Sequence, residues 1–332
     1  MSRPAILILG AGGMGARHIK AFSETGRCDV HCFDVSPEAT ERIGDRALLA
    51  GIFNDLSAIP VDLCAGVVIA TPTDTHVRYA QWCLERDLPF LVEKPISTRE
   101  DRLSELIAAC DARRLTCGVA FPRRSSAAVQ RLKEKVNCGQ IGILKMIRCN
   151  FSQDFRKYRP DYRSTYYAKL ATGGGAIMDA LSHHINLACH FGGTVRKVQG
   201  FHDRLVFDDV EGEDCALINL RFSNGVLGAV HGNQFQRPNE DFIELVGSEG
   251  NLRYERVSGR LEWNASDAPD WLQEYVNGNW DAALRSQASE FLDAISGSGS
   301  IRTSLREGFH HLRVALAARR SQDEGRVIEI GE

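Results

Sequence analysis

An apolar run that breaks into glycines constrains this chain more than any other feature: Ile6-Leu7-Ile8-Leu9-Gly10-Ala11-Gly12-Gly13-Met14-Gly15-Ala16-Arg17-His18-Ile19. The apolar residues suit a buried strand and the segment from Ala16 has helical character, so the glycines fall at a strand-to-helix turn. Gly10 permits the tight turn, Gly12 lets backbone approach a pyrophosphate, and Gly15 lets helix and strand pack closely. The free N–H groups at the helix start attract phosphate. The Gly-x-Gly-x-x-Gly spacing alone is common in glycine-rich loops. Its context strengthens it here, because Asp34 ends the next apolar run, Val30-His31-Cys32-Phe33, at the spacing of an acid that binds ribose hydroxyls. Gly10, Gly12, Gly13, Met14, Gly15 and Asp34 are therefore candidate contacts to a dinucleotide.

With 332 residues the chain is long enough for two domains. Its net charge of -3 gives no global field favouring nucleic acid or an anionic membrane. Only Ala5 to Leu9 is continuously apolar before the glycines, which is too short for a secretion signal or a membrane span. The ten cysteines are scattered without a Cys-x-x-Cys pair, which suits buried free thiols in a reducing cytoplasm better than disulfides or zinc. A cytoplasmic protein without nucleic-acid or membrane partners is expected.

Short apolar runs alternate with helix-length segments up to about Phe121. Strands are expected at 6–9, 30–33, 66–70, 90–92 and 116–120, with helices at 16–24, 37–43, 74–86 and 98–113. That alternation predicts a doubly wound parallel sheet, a Rossmann-type α/β domain over 1–121, whose ligands sit at the carboxyl ends of the strands. The rhythm then changes. A helix at 126–136, a strand at 143–153, a basic tyrosine-rich loop, a helix at 173–191 and hairpin-punctuated strands from 198 to 256 predict an α+β domain with an open antiparallel sheet over 122–332. Two late helices are expected at 280–295 and 303–320.

Two stretches carry chemistry. Glu93-Lys94-Pro95 follows an apolar strand, and a lysine there can hydrogen-bond a substrate hydroxyl and favour loss of its proton; a lysine capping a surface turn is the plain alternative. In Gly173-Gly174-Gly175-Ala176-Ile177-Met178-Asp179-Ala180-Leu181-Ser182-His183-His184-Ile185-Asn186, Asp179 and His183 lie one helical turn apart on a shared face. A carboxylate there can orient the imidazole and favour its protonated form. A buried pair with structural duty alone is the alternative. Adjacent helical residues point about 100 degrees apart, so His183 and His184 do not easily share an ion, and no metal site is expected.

In order along the chain, the glycine fingerprint with His18, Ala70-Thr71-Pro72 followed by His76, Glu93-Lys94-Pro95, Ile141-Gly142, Gly173-Gly174-Gly175 with Asp179 and His183, and Gly247-Ser248-Glu249-Gly250 resemble the glucose-fructose oxidoreductase and inositol dehydrogenase family (Gfo/Idh/MocA). The resemblance implies hydride transfer between a nicotinamide cofactor and a secondary hydroxyl or ketone of a sugar, sugar acid, nucleotide sugar or cyclitol. It makes Lys94 the polarising group and His183 the acid/base, with Asp179 positioning substrate or supporting His183. It also implies a homodimer or homotetramer formed through the second-domain sheet. Asn186 departs from the family, which often has aspartate there.

Thr71, Pro72, His76, Glu93 and Lys94 join the expected cofactor contacts. Asp34 leans the cofactor toward NAD, and Arg42 leaves NADP open. Arginine forks and phenol hydroxyls suit carboxylates, phosphates and sugar hydroxyls, so Arg123, Arg159, Arg163 and Tyr166, with His184, are candidate substrate contacts. A sugar–sugar oxidoreductase with tightly held cofactor and a non-catalytic nucleotide sensor are the rival expectations.

Overall fold

The structure, a computed structural model, describes residues 3–44, 46–265 and 270–331. They form two compact units. One holds the chain through Ser125 together with Asn279–Phe309, and the other holds Ser126–Gly278 and the chain from His310.

In the first unit β1 (Ala5–Leu9), α1 (Gly13–Glu24), β2 (Asp29–Phe33), α2 (Pro37–Glu41), β3 (Gly51–Phe53), β4 (Cys64–Ile69), α3 (His76–Leu84), β5 (Phe90–Glu93), α4 (Leu103–Ala112) and β6 (Cys117–Ala120) follow in order. The sheet runs β3-β2-β1-β4-β5-β6 with every pair parallel. Ile6, Leu7, Ile8 and Leu9 are wholly buried, as central parallel strands covered on both faces require. Strand order reverses between β1 and β4, so a crevice opens at their carboxyl ends. Gly10 leaves β1 there at φ +102, and a Cβ on it would lie 2.6 Å from the Ala70 carbonyl oxygen beyond β4.

The helix Trp280–Ile295 also belongs to this unit, although the expected domain boundary assigns it to the second. Leu284, Ala288, Phe291 and Leu292 join Ile6, Ile8 and Phe22 in one core, and Phe291 meets Phe22 edge-on at 6.1 Å. The chain after it pairs with β6, Val119 N–H donating to Thr303 O at 3.0 Å.

The second unit continues with α5 (Ala127–Asn137), β7 (Leu144–Asp154), the single turn α6 (Phe155–Tyr158), a π-helical turn at Ile177–Leu181 and α7 (Ser182–Gly192). Then come β8 (Val195–Asp203), β9 (Cys215–Phe222), β10 (Leu227–Asn233), β11 (Phe235–Gly247), β12 (Gly250–Glu255), β13 (Arg260–Ala265) and β14 (Leu272–Tyr275). The late helix of the first unit is α8, α9 (Leu305–Asp323) runs on past the division at Phe309, and β15 (Ile328–Glu329) closes the chain. The nine strands run β14-β13-β12-β11-β7-β10-β9-β8-β15. The expected antiparallel sheet is in fact mixed, since β10 pairs with β7 in parallel.

β7 turns Ile147, Cys149 and Phe151 toward α7, with the Phe151 ring 5.5 Å from that of His184. The alternation along β9 puts Ala216, Ile218 and Leu220 inside and leaves Leu217 on the other face, where Phe201 of β8 is also exposed. No helix of the described residues is long and apolar enough to cross a membrane.

Candidate functional site

The first unit builds a dinucleotide cradle. A Cβ on Gly15 would sit 1.8 Å from Gly10 O, so only glycine lets α1 start this close to β1, whereas at Gly12 and Gly13 it would meet nothing within 4 Å. The first turn of α1 carries neither a side-chain cap nor an acid, leaving its amides available to a pyrophosphate. Asp34 directly follows β2 and is half-buried. Its Oδ2 accepts Ala11 N–H at 2.7 Å and its Oδ1 accepts Ser36 N–H at 2.9 Å. The same carboxylate thus anchors the glycine turn and retains lone pairs for ribose hydroxyls. These residues fit a dinucleotide.

Thr71 and Pro72 follow β4 at the surface of this crevice, the Thr71 hydroxyl accepting from Thr75 at 2.7 Å. His76 and Glu93 lie behind it. His76 is buried with its ring nitrogens 2.9 Å from Pro95 O and 2.9 Å from Thr71 O. Burial pushes its pKa down, against the pull of the two carbonyls, Glu93 and Asp74. Glu93 is buried against His18 at 2.7 Å. Both residues therefore bear on the loops from within rather than offering a surface to a ligand. Lys94 follows β5 half-buried, its peptide to Pro95 being cis. Arg123 is buried just after β6.

In the second unit the expected single helix over 173–191 divides into a π-turn and α7. Asp179 lies in the π-turn and His183 in the first turn of α7, 9% exposed. π-turns recur where a side chain must be re-aimed at a functional site. The Tyr166 hydroxyl donates to Asp179 Oδ1 at 2.7 Å, so the structure brings those two candidates together.

The other substrate candidates divide. Arg163 pairs with Asp209, which also accepts from the Tyr162 hydroxyl at 2.9 Å. This arginine therefore fastens its loop to the 208–211 loop, over the small core of Phe155, Tyr162, Tyr167, Phe207 and Val210. Arg159 is exposed and makes no ion pair among the described residues. His184 is wholly buried and spent on Asp241, Nε2 to Oδ1 at 3.0 Å, so it offers no surface to substrate. Asp241 in turn accepts from Arg256 Nε at 2.6 Å. The departing residue Asn186 is buried too and contacts His311 Nδ1 at 3.3 Å.

Sequence reasoning missed the groups that set these side chains. Glu213, 5% exposed, caps the start of the π-turn. Its carbonyl accepts Ala176 N–H at 2.7 Å and its Oε1 accepts Ile177 N–H at 2.9 Å. Arg319 donates to that Oε1 at 2.9 Å and to Gly174 O at 2.8 Å. Gly175 must be glycine here, because it holds φ +89 and a Cβ would lie 2.6 Å from Glu213 Oε1. Among the described residues no three His, Cys, Asp or Glu side chains group as metal ligands.

The NAD-binding Rossmann-fold model of an oxidoreductase family matches residues 5–121, and the GFO/IDH/MocA C-terminal domain model matches 129–253. The chain belongs to the Gfo/Idh/MocA family. It is an NAD(P)-dependent oxidoreductase of that family, whose named members include sugar and cyclitol dehydrogenases. Inositol 2-dehydrogenase of Rhizobium meliloti is 25% identical over 97% of this chain and 98% of its own length. The uncharacterized oxidoreductase YrbE of Bacillus subtilis is also 25% identical, over 97% of this chain and 95% of its own. Among solved structures, levoglucosan dehydrogenase in complex with NADH and L-sorbose superposes with a TM-score of 0.91 at 20% identity, covering 100% of both chains.

Proposed function

We propose that this Gfo/Idh/MocA enzyme oxidises a secondary hydroxyl of a sugar, sugar acid, nucleotide sugar or cyclitol, or reduces the corresponding ketone. Lys94 polarises the reacting oxygen, His183 exchanges its proton and Asp179 supports substrate or His183. The observation that carries this reading is Lys94 itself, held directly after β5 of an NAD-binding domain by a buried carboxylate that accepts its backbone N–H at 3.1 Å. NAD, when bound, supplies the hydride acceptor. The Lys94 ammonium donates a hydrogen bond to the carbinol oxygen and stabilises the negative charge that develops there as the hydroxyl proton leaves. His183 takes the hydroxyl proton. Tyr166, bonded to Asp179, is a substrate contact in this reading, and exposed Arg159 is one for a substrate carboxylate or phosphate.

A screen of sugars, sugar acids, cyclitols and nucleotide sugars, followed by nicotinamide absorbance, tests the activity. Lys94→Ala is expected to abolish turnover while NADH still binds, and retention of turnover overturns the role of Lys94. The protein works in the cytoplasm in this reading, in keeping with ten free thiols. It associates as a homodimer or homotetramer through the open sheet face, in keeping with exposed Phe201 and Leu217. Sedimentation of wild type and Leu217→Lys checks this, a monomeric wild type excluding it.

A further inference from the structure

Behind the carboxyl ends of β4 and β5, two buried histidines tie together three segments of the first unit. His18 stands in the second turn of α1, 1% exposed, with Nε2 2.7 Å from Glu93 Oε1. Glu93 is 6% exposed, and its other oxygen accepts the Lys94 backbone N–H at 3.1 Å. His76 opens α3, also 1% exposed, with Nδ1 2.9 Å from Pro95 O and Nε2 2.9 Å from Thr71 O. Three of these four contacts fall on consecutive residues, at the side chain of Glu93, the N–H of Lys94 and the carbonyl of Pro95, and the fourth ties His76 to Thr71. Their far ends lie on the helix that follows the glycine turn and on the loop that follows β4.

Apolar side chains would fill this space with a smaller desolvation cost, because buried ionisable groups recover their lost hydration only through well-made partners. What the polar contacts add is direction. A carboxylate that takes a backbone N–H and a neutral ring that donates to one of the two carbonyls beside it fix the orientation of a turn, where packing alone would fix only its distance. Buried at 1%, neither histidine presents a surface to ligand.

We propose that His18, Glu93 and His76 are positioning residues that orient the Lys94–Pro95 turn, and with it the Lys94 ammonium, against the helix and loop that flank the dinucleotide cradle. The proposal rests on the role given to Lys94 above. Loss of one brace member lets the turn rotate while the glycine turn and Asp34 keep their own contacts, so the lysine loses its aim and the cofactor keeps its grip.

The test compares wild type with His18→Gln, Glu93→Gln, His76→Gln and the double variant His18→Gln/Glu93→Gln, whose amide pair keeps a hydrogen bond should either single variant fail to fold. NADH affinity is read by fluorescence. The reactivity of Lys94 toward trace acetic anhydride, relative to exposed Lys157, is read by peptide mass spectrometry with NADH bound, which needs no substrate. The expected result is a several-fold change in relative Lys94 reactivity at unchanged NADH affinity. With the polyol turned over best in the screen, kcat is expected to fall about 10²-fold at little changed KM, the order that a misplacement of about 1 Å costs. Unchanged Lys94 reactivity overturns the proposal, and so does NADH affinity falling in step with kcat. Lys94→Ala in parallel separates the two readings. If it keeps turnover, the role of Lys94 fails, whereas if it loses turnover and the brace variants keep wild-type reactivity, the brace alone fails.

Discussion

At Asp34 one carboxylate serves two ends. It accepts amide protons from Ala11 in the glycine turn and from Ser36 beyond β2, and in the role proposed for it as a ribose-binding acid its negative charge repels a 2′-phosphate. Asp34→Asn is expected to weaken NAD binding about tenfold or more, the worth of a hydrogen bond to a charged group, and to raise the NADP-to-NAD ratio of kcat/KM. Parallel assays with both cofactors check this, and an unchanged ratio removes Asp34 from cofactor choice. Asp34 and the glycines are legible in the sequence because their spacing along the chain is itself a recognisable pattern, although Asp34 holds Ala11 23 positions earlier and Gly10 backs onto Ala70. His18–Glu93 and His184–Asp241 are not, since their partners stand 75 and 57 positions apart. His184 reads in sequence as a candidate substrate contact beside His183, and only the arrival of Asp241 on β11 turns it into a buried anchor.

At the scale of elements, the π-turn and α7 hang from Glu213. That carboxylate holds Ile177 N–H and the Arg319 guanidinium, and with it gone the buried Ile177 N–H loses its acceptor while half-buried Arg319 loses its counter-charge and keeps Gly174 O. Glu213→Ala is expected to lower stability by about 3 kcal/mol, the lower end for breaking a buried ion pair, with Glu213→Gln costing less. Urea midpoints measure this, and a Glu213→Ala midpoint equal to wild type removes the cap. The triple glycine announces a turn here, but not its partner, because Glu211-Gly212-Glu213-Asp214 reads as an ordinary acidic loop. Other elements escape for equally physical reasons. β3 spans three residues, too few for a period to register. β10 lies parallel to β7 because three-dimensional pairing, rather than the hairpin that joins β9 to β10, decides which strand takes its other edge.

For the molecule as a whole, acid is the revealing stress. His310 Nε2 accepts Val195 N–H at 3.0 Å, which requires a neutral ring. Burial first, then Arg313 and Arg196, depress its pKa to about 4, against about 6.5 in the unfolded chain. Above pH 6.5 the ring is neutral in both states. As pH falls from there toward 4 the unfolded chain takes up a proton that the folded one refuses, so stability is lost across that window by up to about 3 kcal/mol. Urea midpoints at pH 7 and pH 4.5 should show this fall, and His310→Gln should shrink it. An equal fall in both proteins assigns it to other groups.

The long-range choices follow the same logic as this histidine. Leu284, Ala288, Phe291 and Leu292 make α8 visibly amphipathic, yet nothing in their spacing says which core they enter. Phe22 and Ile6, more than 260 positions earlier by the numbering, receive them. By itself the sequence determined what depends on neighbours in the chain: the strand, glycine turn and helix that cradle a dinucleotide, the acid that follows, the alternation that makes a parallel sheet, and the ordered motifs of the family. Tertiary structure alone decided which distant charges meet in the interior, and so which histidines are anchors and which half of the chain claims α8. Burial turns a distant partner from a negligible influence in water into the condition for a polar group to be inside at all.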